Sequence, residues 1–177
     1  MTVGVRQGRV WKFGNDINTD LMLPGSVVYG TEEEQTRMVF SANRPNWVHD
    51  VRPGDLIVGG TNYGTGSGRP AARSLVNHRV GGLIAESING LFFRSCVSYG
   101  LLALECPGIT GILEDGDIAE ISLDSFTVRN TTSGKTLQAV PVPPRLLEMM
   151  CGGGVFPFLE ANGLVSPLLG KAGSSPY

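Results

Sequence analysis

The sequence predicts an α/β fold: a single domain with a parallel α/β half followed by an antiparallel, hairpin-rich half. Three observations carry this. Short, mainly apolar segments (Leu56–Gly60, Gly82–Glu86, Leu101–Leu104) alternate with stretches of helical patterning, as buried parallel strands joined by helical crossovers do. After Ile118 the texture changes to in–out alternation between turns at Asp115-Gly116-Asp117 and Ser133-Gly134-Lys135, the pattern of antiparallel hairpins. The 25 glycines and 11 prolines sit in a chain that is 41% hydrophobic, which means many tight turns around a core rather than disorder.

Taken in order, Gly8–Phe13 reads as the first strand, ended by Gly14-Asn15-Asp16. Thr31-Glu32-Glu33-Glu34 is a capping box that opens a helix to about Ala42, with its acidic run favoured by the helix dipole. Asn43 to Gly54 is a loop. Leu56–Gly60 is a buried strand, after which Pro70 suits a first helical position because its missing N–H costs nothing there. That helix runs to about Arg79 and stops at Gly81-Gly82. Gly82–Glu86 is a strand, Leu91–Val97 a helix closed by Gly100, and Leu101–Leu104 a strand again. Ile118–Leu123 and Thr127–Asn130 pair as antiparallel strands. A helix over Arg145–Met150 is broken by Gly152-Gly153-Gly154, and a last one, Val155–Asn162, ends at Gly163. Residues 1–169 read as the domain and 170–177 as a disordered tail.

The bulk numbers exclude several function classes. At 177 residues the chain buries about two-thirds of its unfolded surface. A formal charge of −2, from 14 basic and 16 acidic residues, argues for neither a nucleic-acid nor a membrane surface. No apolar run approaches the roughly 20 residues of a membrane span, and Met1-Thr2-Val3-Gly4 does not begin a signal peptide. Cys96, Cys106 and Cys151 are odd in number and widely spaced, so they are neither a disulfide framework nor a metal motif, and a reducing cytoplasm is the natural compartment. His49 and His78 lack partners at ligand spacing, and Cys96 and Cys106 lie in apolar segments as core thiols. Arg94, beside Phe92 and Phe93, is expected to pair with a carboxylate such as Glu86.

Chemistry concentrates in Gly59–Pro70, GGTNYGTGSGRP. A glycine-rich turn feeding a helix presents free backbone N–H groups to an anion, and here it also offers the Ser67 hydroxyl and the Arg69 guanidinium. A carboxylate or phosphate ligand with chemistry beside it fits that set. The rival is dinucleotide binding: Gly66-Ser67-Gly68-Arg69-Pro70-Ala71 fits G-x-G-x-x-A, and Glu86 ends a strand 20 residues on. Against it, about seven residues separate Val58 from Gly66, too many for the tight strand-to-helix turn. More than fifty residues also precede the strand. No Gly-Lys-Ser/Thr follows, which excludes a P-loop.

Six segments in colinear order carry a family resemblance. Asp16–Gly25 (DINTDLMLPG) resembles the "D-x-(D/N)-T-D-x-I-x-P-(G/A)" segment of isopropylmalate isomerase small subunits. Gly54–Arg69 is similar to their "P-G-D-I-I-V-x-G-x-N-F-G-x-G-S-S-R-E". Ala85-Glu86-Ser87 with Phe92-Phe93-Arg94 resembles "A-E-S-F-x-x-I-F-x-R-N", and Gly100–Cys106 resembles "G-L-P-x-L-x-C". Gly134-Lys135 and the Leu146–Val165 end match as well, so residues 8–167 are covered. The chain is identified as a member of the aconitase superfamily, of the small, swivel-domain subunit type.

This resemblance implies a swivelling β/β/α domain that closes over a [4Fe-4S] cluster carried by a separate large subunit, with no cofactor or metal in this chain. It implies a hydro-lyase of leucine biosynthesis acting on a hydroxy acid such as 3-isopropylmalate, in a heterodimer or heterotetramer. Motif by motif, the base falls on Ser67 and the carboxylate-binding arginine on Arg69, while cluster iron takes the departing hydroxyl as a Lewis acid. Gly66, Gly68 and Thr65 belong to the same loop, and Asp20 after Thr19 to the active-site surface.

The departures fall in the site. Gly68 stands in place of the second serine, Pro70 in place of the glutamate, and Thr65 where many members have cysteine. After Pro24-Gly25, members often read R-Y-L and then a residue that helps choose the substrate; here the segment is Ser26-Val27-Val28-Tyr29, without arginine. An apolar, aromatic wall with Tyr29 favours a substrate with an uncharged arm, so a related 2- or 3-hydroxy acid stands beside isopropylmalate. A non-catalytic binding or regulatory domain that kept the fold is the alternative from another class. For single residues, a turn role for Ser67, a solvated role for Arg69 and a bracing role for Asp20 are the bland readings.

Overall fold

The computed structural model describes residues 4–166; the expected tail, 170–177, lies outside them. Seven strands form one sheet: β1 Val5–Lys12, β2 Leu56–Gly59, β3 Gly82–Ala85, β4 Ala103–Glu105, β5 Ile118–Ser122, β6 Thr127–Asn130 and β7 Thr136–Gln138. Their order is β4-β3-β2-β1-β5-β6-β7. The first four are parallel, with Val10 beside Leu56, Ile57 beside Leu83 and Ile84 beside Leu104, and the last three are antiparallel. Two textures in the sequence thus become two halves of one sheet that share β1.

Burial follows the strand type. β2 and β3 are buried at every position, because helices and loops cover both faces of a parallel sheet. β5 and β6 bury alternate residues. The helices are α1 Thr19–Met22, α2 Glu32–Met38, α3 Trp47–Asp50, α4 Ala71–Asn77, α5 Gly90–Tyr99, α6 Pro144–Cys151 and α7 Val155–Ala161. They pack in the series α2, α4, α5, α6, α7. Monotonic strand order β1 to β4 with right-handed crossovers sets α4 and α5 on the same face.

Local sequence explains most boundaries. Thr31 caps α2, its hydroxyl accepting from Glu34 N while the Glu34 carboxylate accepts from Thr31 N at 2.7 Å. The helix ends at Met38, short of Ala42, because Phe40 turns left-handed (φ 59) and its N–H bonds Met22 O. Gly100 (φ 79) closes α5, as expected. Pro70 is the residue before α4 rather than its first, and α4 ends at Asn77, where Arg79 takes a left-handed φ of 57.

Three elements were not anticipated. α1 and α3 are single four-residue turns, too short to show a period, and β7 carries one half-buried residue between two exposed ones. α3 contributes Trp47, which joins Trp11, Phe13 and Phe40 in an aromatic cluster under the start of the sheet. The buried Asp55 accepts from Trp11 Nε1 at 2.7 Å and from Arg52 N at 2.9 Å, so its burial is compensated. His78 is structural: its ring stands edge-on to Trp47 and its Nε2 lies 2.8 Å from Thr36 O.

Candidate functional site

The site is built where the loops after β1, β2 and β3 meet at the carboxyl ends of these parallel strands. Asn15 Oδ1 accepts from Thr61 N at 2.9 Å, Thr61 O accepts from Asp16 N, Ile17 O from Gly64 N at 2.7 Å, and Thr65 O from Thr19 N at 2.8 Å. Residues 15–19 and 61–65 are therefore zipped along their length. On the other side Tyr63 N donates to Ser87 O and Asn89 N to Tyr63 O. Glycine is required twice in this zip. A Cβ on Gly60 would overlap Asn15, and one on Gly64 (φ 80) would overlap the Phe92 side chain. Tyr63, fully buried and tilted against Phe92, anchors the loop from below.

Beyond Thr65 the loop rises to the surface. Gly66, Ser67 and Gly68 are exposed, and Arg69 and Pro70 half-buried. Arg69 organises what lies around it. Its Nε donates to Ser67 Oγ at 3.2 Å, its Nη1 to Leu23 O at 2.6 Å, and its Nη2 pairs with Asp20 Oδ1 at 2.6 Å. Asp20 sits in the first turn of α1, which Asn18 caps by accepting from Leu21 N at 2.8 Å. The guanidinium has five N–H donors, of which three are engaged and two have no partner among the described residues.

An open cavity of about 330 Å³ lies over this group, lined by Ser67, Gly68, Arg69, Gly25, Val28 and Tyr29. Tyr29 is completely exposed. The structure thus brings Ser67, Arg69, Asp20, Gly66, Gly68 and Tyr29 together from segments about 40 residues apart in sequence. Thr19 and Thr65 sit beneath them. Thr19 is 2% exposed, its hydroxyl has no partner among the described residues, and it lies 3.0 Å from where a Gly66 Cβ would stand. That places Thr19 under the backbone of the loop rather than in the cavity. The Leu23 carbonyl and the Asn18 cap were missed from sequence, although Asn18-Thr19-Asp20 is a legible helix start.

One expectation is overturned. Arg94 does not pair with Glu86. Glu86 accepts from Gly108 N, Thr110 N and Thr110 Oγ1, while Arg94 is exposed on α5. Desolvation pushes the Glu86 carboxyl up, but those three hydrogen bonds outweigh it and hold the group below its ordinary value. The dinucleotide reading fails on the same residue, since Glu86 is committed to the 108–110 turn, and residues 60–70 lie between β2 and α4.

The cysteines do not fit an iron–sulfur cluster. Cys96 and Cys106 are fully buried in the core, desolvation raising both thiols and holding Cys106 at about 11, and Cys151 ends α6. Among the described residues no group of three or more His, Cys, Asp or Glu side chains is placed to hold a metal ion, and no helix is long and apolar enough to cross a membrane.

A serine and an arginine on a glycine loop, with Asp20 brought in from α1, gather at the carboxyl ends of the parallel strands of a swivel-type α/β domain. No family model matches the chain. It is, however, 38% identical over 156 residues to the isopropylmalate/citramalate isomerase small subunit of Methanocaldococcus jannaschii, covering 87% of this chain and 93% of that one. The 3-isopropylmalate dehydratase small subunit of Methanosarcina acetivorans is 37% identical over 162 residues, 90% and 98% of the two chains. The crystal structure of 3-isopropylmalate dehydratase from Methanocaldococcus jannaschii superposes with a TM-score of 0.85 at 29% identity, over 91% of this chain and 96% of that one. The chain belongs to the 3-isopropylmalate dehydratase small-subunit family, a family of hydro-lyase subunits.

Proposed function

We propose that Ser67 is the base and Arg69 the carboxylate binder of a dehydratase that removes and returns water across a carbon–carbon bond of a branched malate. The substrate is 3-isopropylmalate or a relative such as citramalate. The [4Fe-4S] cluster belongs to the large subunit, and the assembled enzyme to the cytoplasm. One observation carries this reading: the Arg69 guanidinium holds Ser67 Oγ at 3.2 Å beside an open cavity, with two donors that have no partner among the described residues.

The division of labour follows from magnitudes. A hydroxyl becomes a base only if its alkoxide is stabilised by many pKa units, each about 1.36 kcal/mol. A guanidinium at about 3 Å contributes roughly 1 kcal/mol in bulk water, but roughly 5 kcal/mol at the effective dielectric of a protein site. Ser67 is exposed, so this chain alone supplies orientation and charge without dryness. Closure against the large subunit would supply the dryness and strengthen each contact. Arg69, 18% exposed, is held by Asp20 and Leu23 O and needs little reorganisation to receive a carboxylate. Val28 and the exposed Tyr29 offer an uncharged wall to the variable arm, in keeping with malates whose branch is apolar.

The test is Ser67→Ala in the assembled enzyme, assayed on 3-isopropylmalate and on citramalate, with assembly followed by size-exclusion chromatography. Removing a positioned base is expected to lower kcat about 10²–10⁴-fold with the complex intact. Unchanged turnover would remove Ser67 from the chemistry. A complex that binds but never turns over either malate, in wild type as well, would favour a regulatory domain in which Gly68 and Pro70 mark lost chemistry.

A further inference from the structure

A cavity of about 560 Å³ opens at the opposite end of the parallel strands from Ser67. Arg6 reaches it from the start of β1, Val76 and Arg79 from the end of α4 and just beyond, and Met150 and Cys151 from the end of α6. Two guanidiniums line it and no carboxylate does. Arg6 is anchored: its Nη1 donates to Gly81 O at 2.5 Å, and its Nη2 lies 3.7 Å from Cys151 Sγ. The Arg79 side chain has no hydrogen-bond or ion-pair partner among the described residues. Its backbone is left-handed, a conformation that disfavours side chains by about 1 kcal/mol, and Gly54 N donating to Arg79 O holds it there. Apart from these groups the lining is Val76, Val80, Met150 and glycines.

A volume of this size is that of a small-molecule site, and its polarity is one-ended. The arginines favour an oxyanion and oppose a cation, while the valines and the thioether favour an apolar body. We propose that this cavity is a second ligand site, for a small carboxylate with an apolar tail, its head between Arg6 and Arg79 and its tail against Val76, Val80 and Met150. The site is separate from Ser67 and Arg69 and does not depend on their roles, although α4 spans the two, with Arg69 shortly before it and Arg79 shortly after.

The protein carries its own reporter. Cys151 is exposed at the cavity, whereas Cys96 and Cys106 are buried. In the assembled two-subunit protein, the alkylation rate of Cys151 by uncharged iodoacetamide would be read by mass spectrometry of its peptide, with hexanoate, hexylammonium or inorganic phosphate present. Hexanoate is expected to slow the reaction saturably, about tenfold at roughly ten times its Kd, with hexylammonium and phosphate without effect. In Arg79→Gln, and more weakly in Arg79→Lys, the protection is lost while turnover at the other site persists. Equal protection by hexylammonium, protection by phosphate matching hexanoate, protection that survives Arg79→Gln, or a Cys151 unreactive in the assembled protein would each overturn the proposal.

Discussion

On one side of β1, β2 and β3 are buried at every residue; on the other, β5 and β6 bury every second residue and β7 scarcely any. Parallel neighbours cannot be joined by a hairpin, so each strand leaves the sheet at the same edge and returns through a crossover. The loops after β1, β2 and β3 therefore converge, and zipped there they hold Ser67, Arg69 and Asp20. The antiparallel strands return by short turns, bring no such convergence, and carry none of the candidate site residues. Placement of chemistry in this molecule is thus a consequence of strand direction.

Substitutions in the convergent loops should test that contrast most severely at Gly64. A side chain there meets Phe92 and must take φ 80, so Gly64→Ala is expected to destabilise by about 3 kcal/mol from overpacking and backbone strain together. The same change at Gly134, also left-handed but with open space around it, should cost only about 1 kcal/mol. Equal losses in urea denaturation would show that loop packing in the parallel half is not special. Arg69→Lys comes next. It keeps the charge but loses the fork that serves Ser67, Leu23 O and Asp20 at once, so kcat/KM should fall about 30- to 100-fold with assembly unchanged. A tenfold or smaller loss would mean that charge alone suffices.

Thr110→Val probes the parallel edge more gently. Glu86 titrates below its ordinary value because Thr110 and Gly108 donate to it, so its contribution is present above about pH 4.5 and lost as pH falls through the lowered folded value. The variant should be less stable at pH 7 by under about 1 kcal/mol, Glu86 being only half-buried, and the gap to wild type should narrow as pH falls through the lowered folded value. A gap constant from pH 7 to pH 3 would assign the loss to packing instead. The smallest effect is expected from Gly68→Ser. Gly68 has an ordinary φ and its nearest neighbour to a new Cβ, Leu91, is 3.9 Å away, so the melting temperature should hold within about 2 °C while KM for the malates changes. A large drop in melting temperature would show that the glycine is structural.

How much was legible divides along the same line. Apolar segments such as Leu56–Gly59 and Gly82–Ala85 announced the parallel strands because burial on both faces leaves no polar positions. The Ser67–Arg69 pair was legible too, being local to one loop and matched by a family motif. The Asp20–Arg69 ion pair and the Leu23 O contact were not, since nothing in either segment encodes that β1 and β2 are neighbours. Glu86 shows the reverse error. Sequence proximity offered Arg94 as its partner, but α5 turns that side chain to solvent and the 108–110 turn takes the carboxylate.

The sequence by itself determined the fold class, the strand and helix periods, the capping box at Thr31–Glu34 and the loop that bears Ser67, because each depends on residues within a few positions of one another. Only the tertiary structure decided that Arg69 faces Asp20, that Thr19 lies buried beneath Gly66, and that Arg6 and Arg79 share a cavity. Those depend on which strands become neighbours and in what register, which is settled when the whole apolar surface of the chain is buried at once.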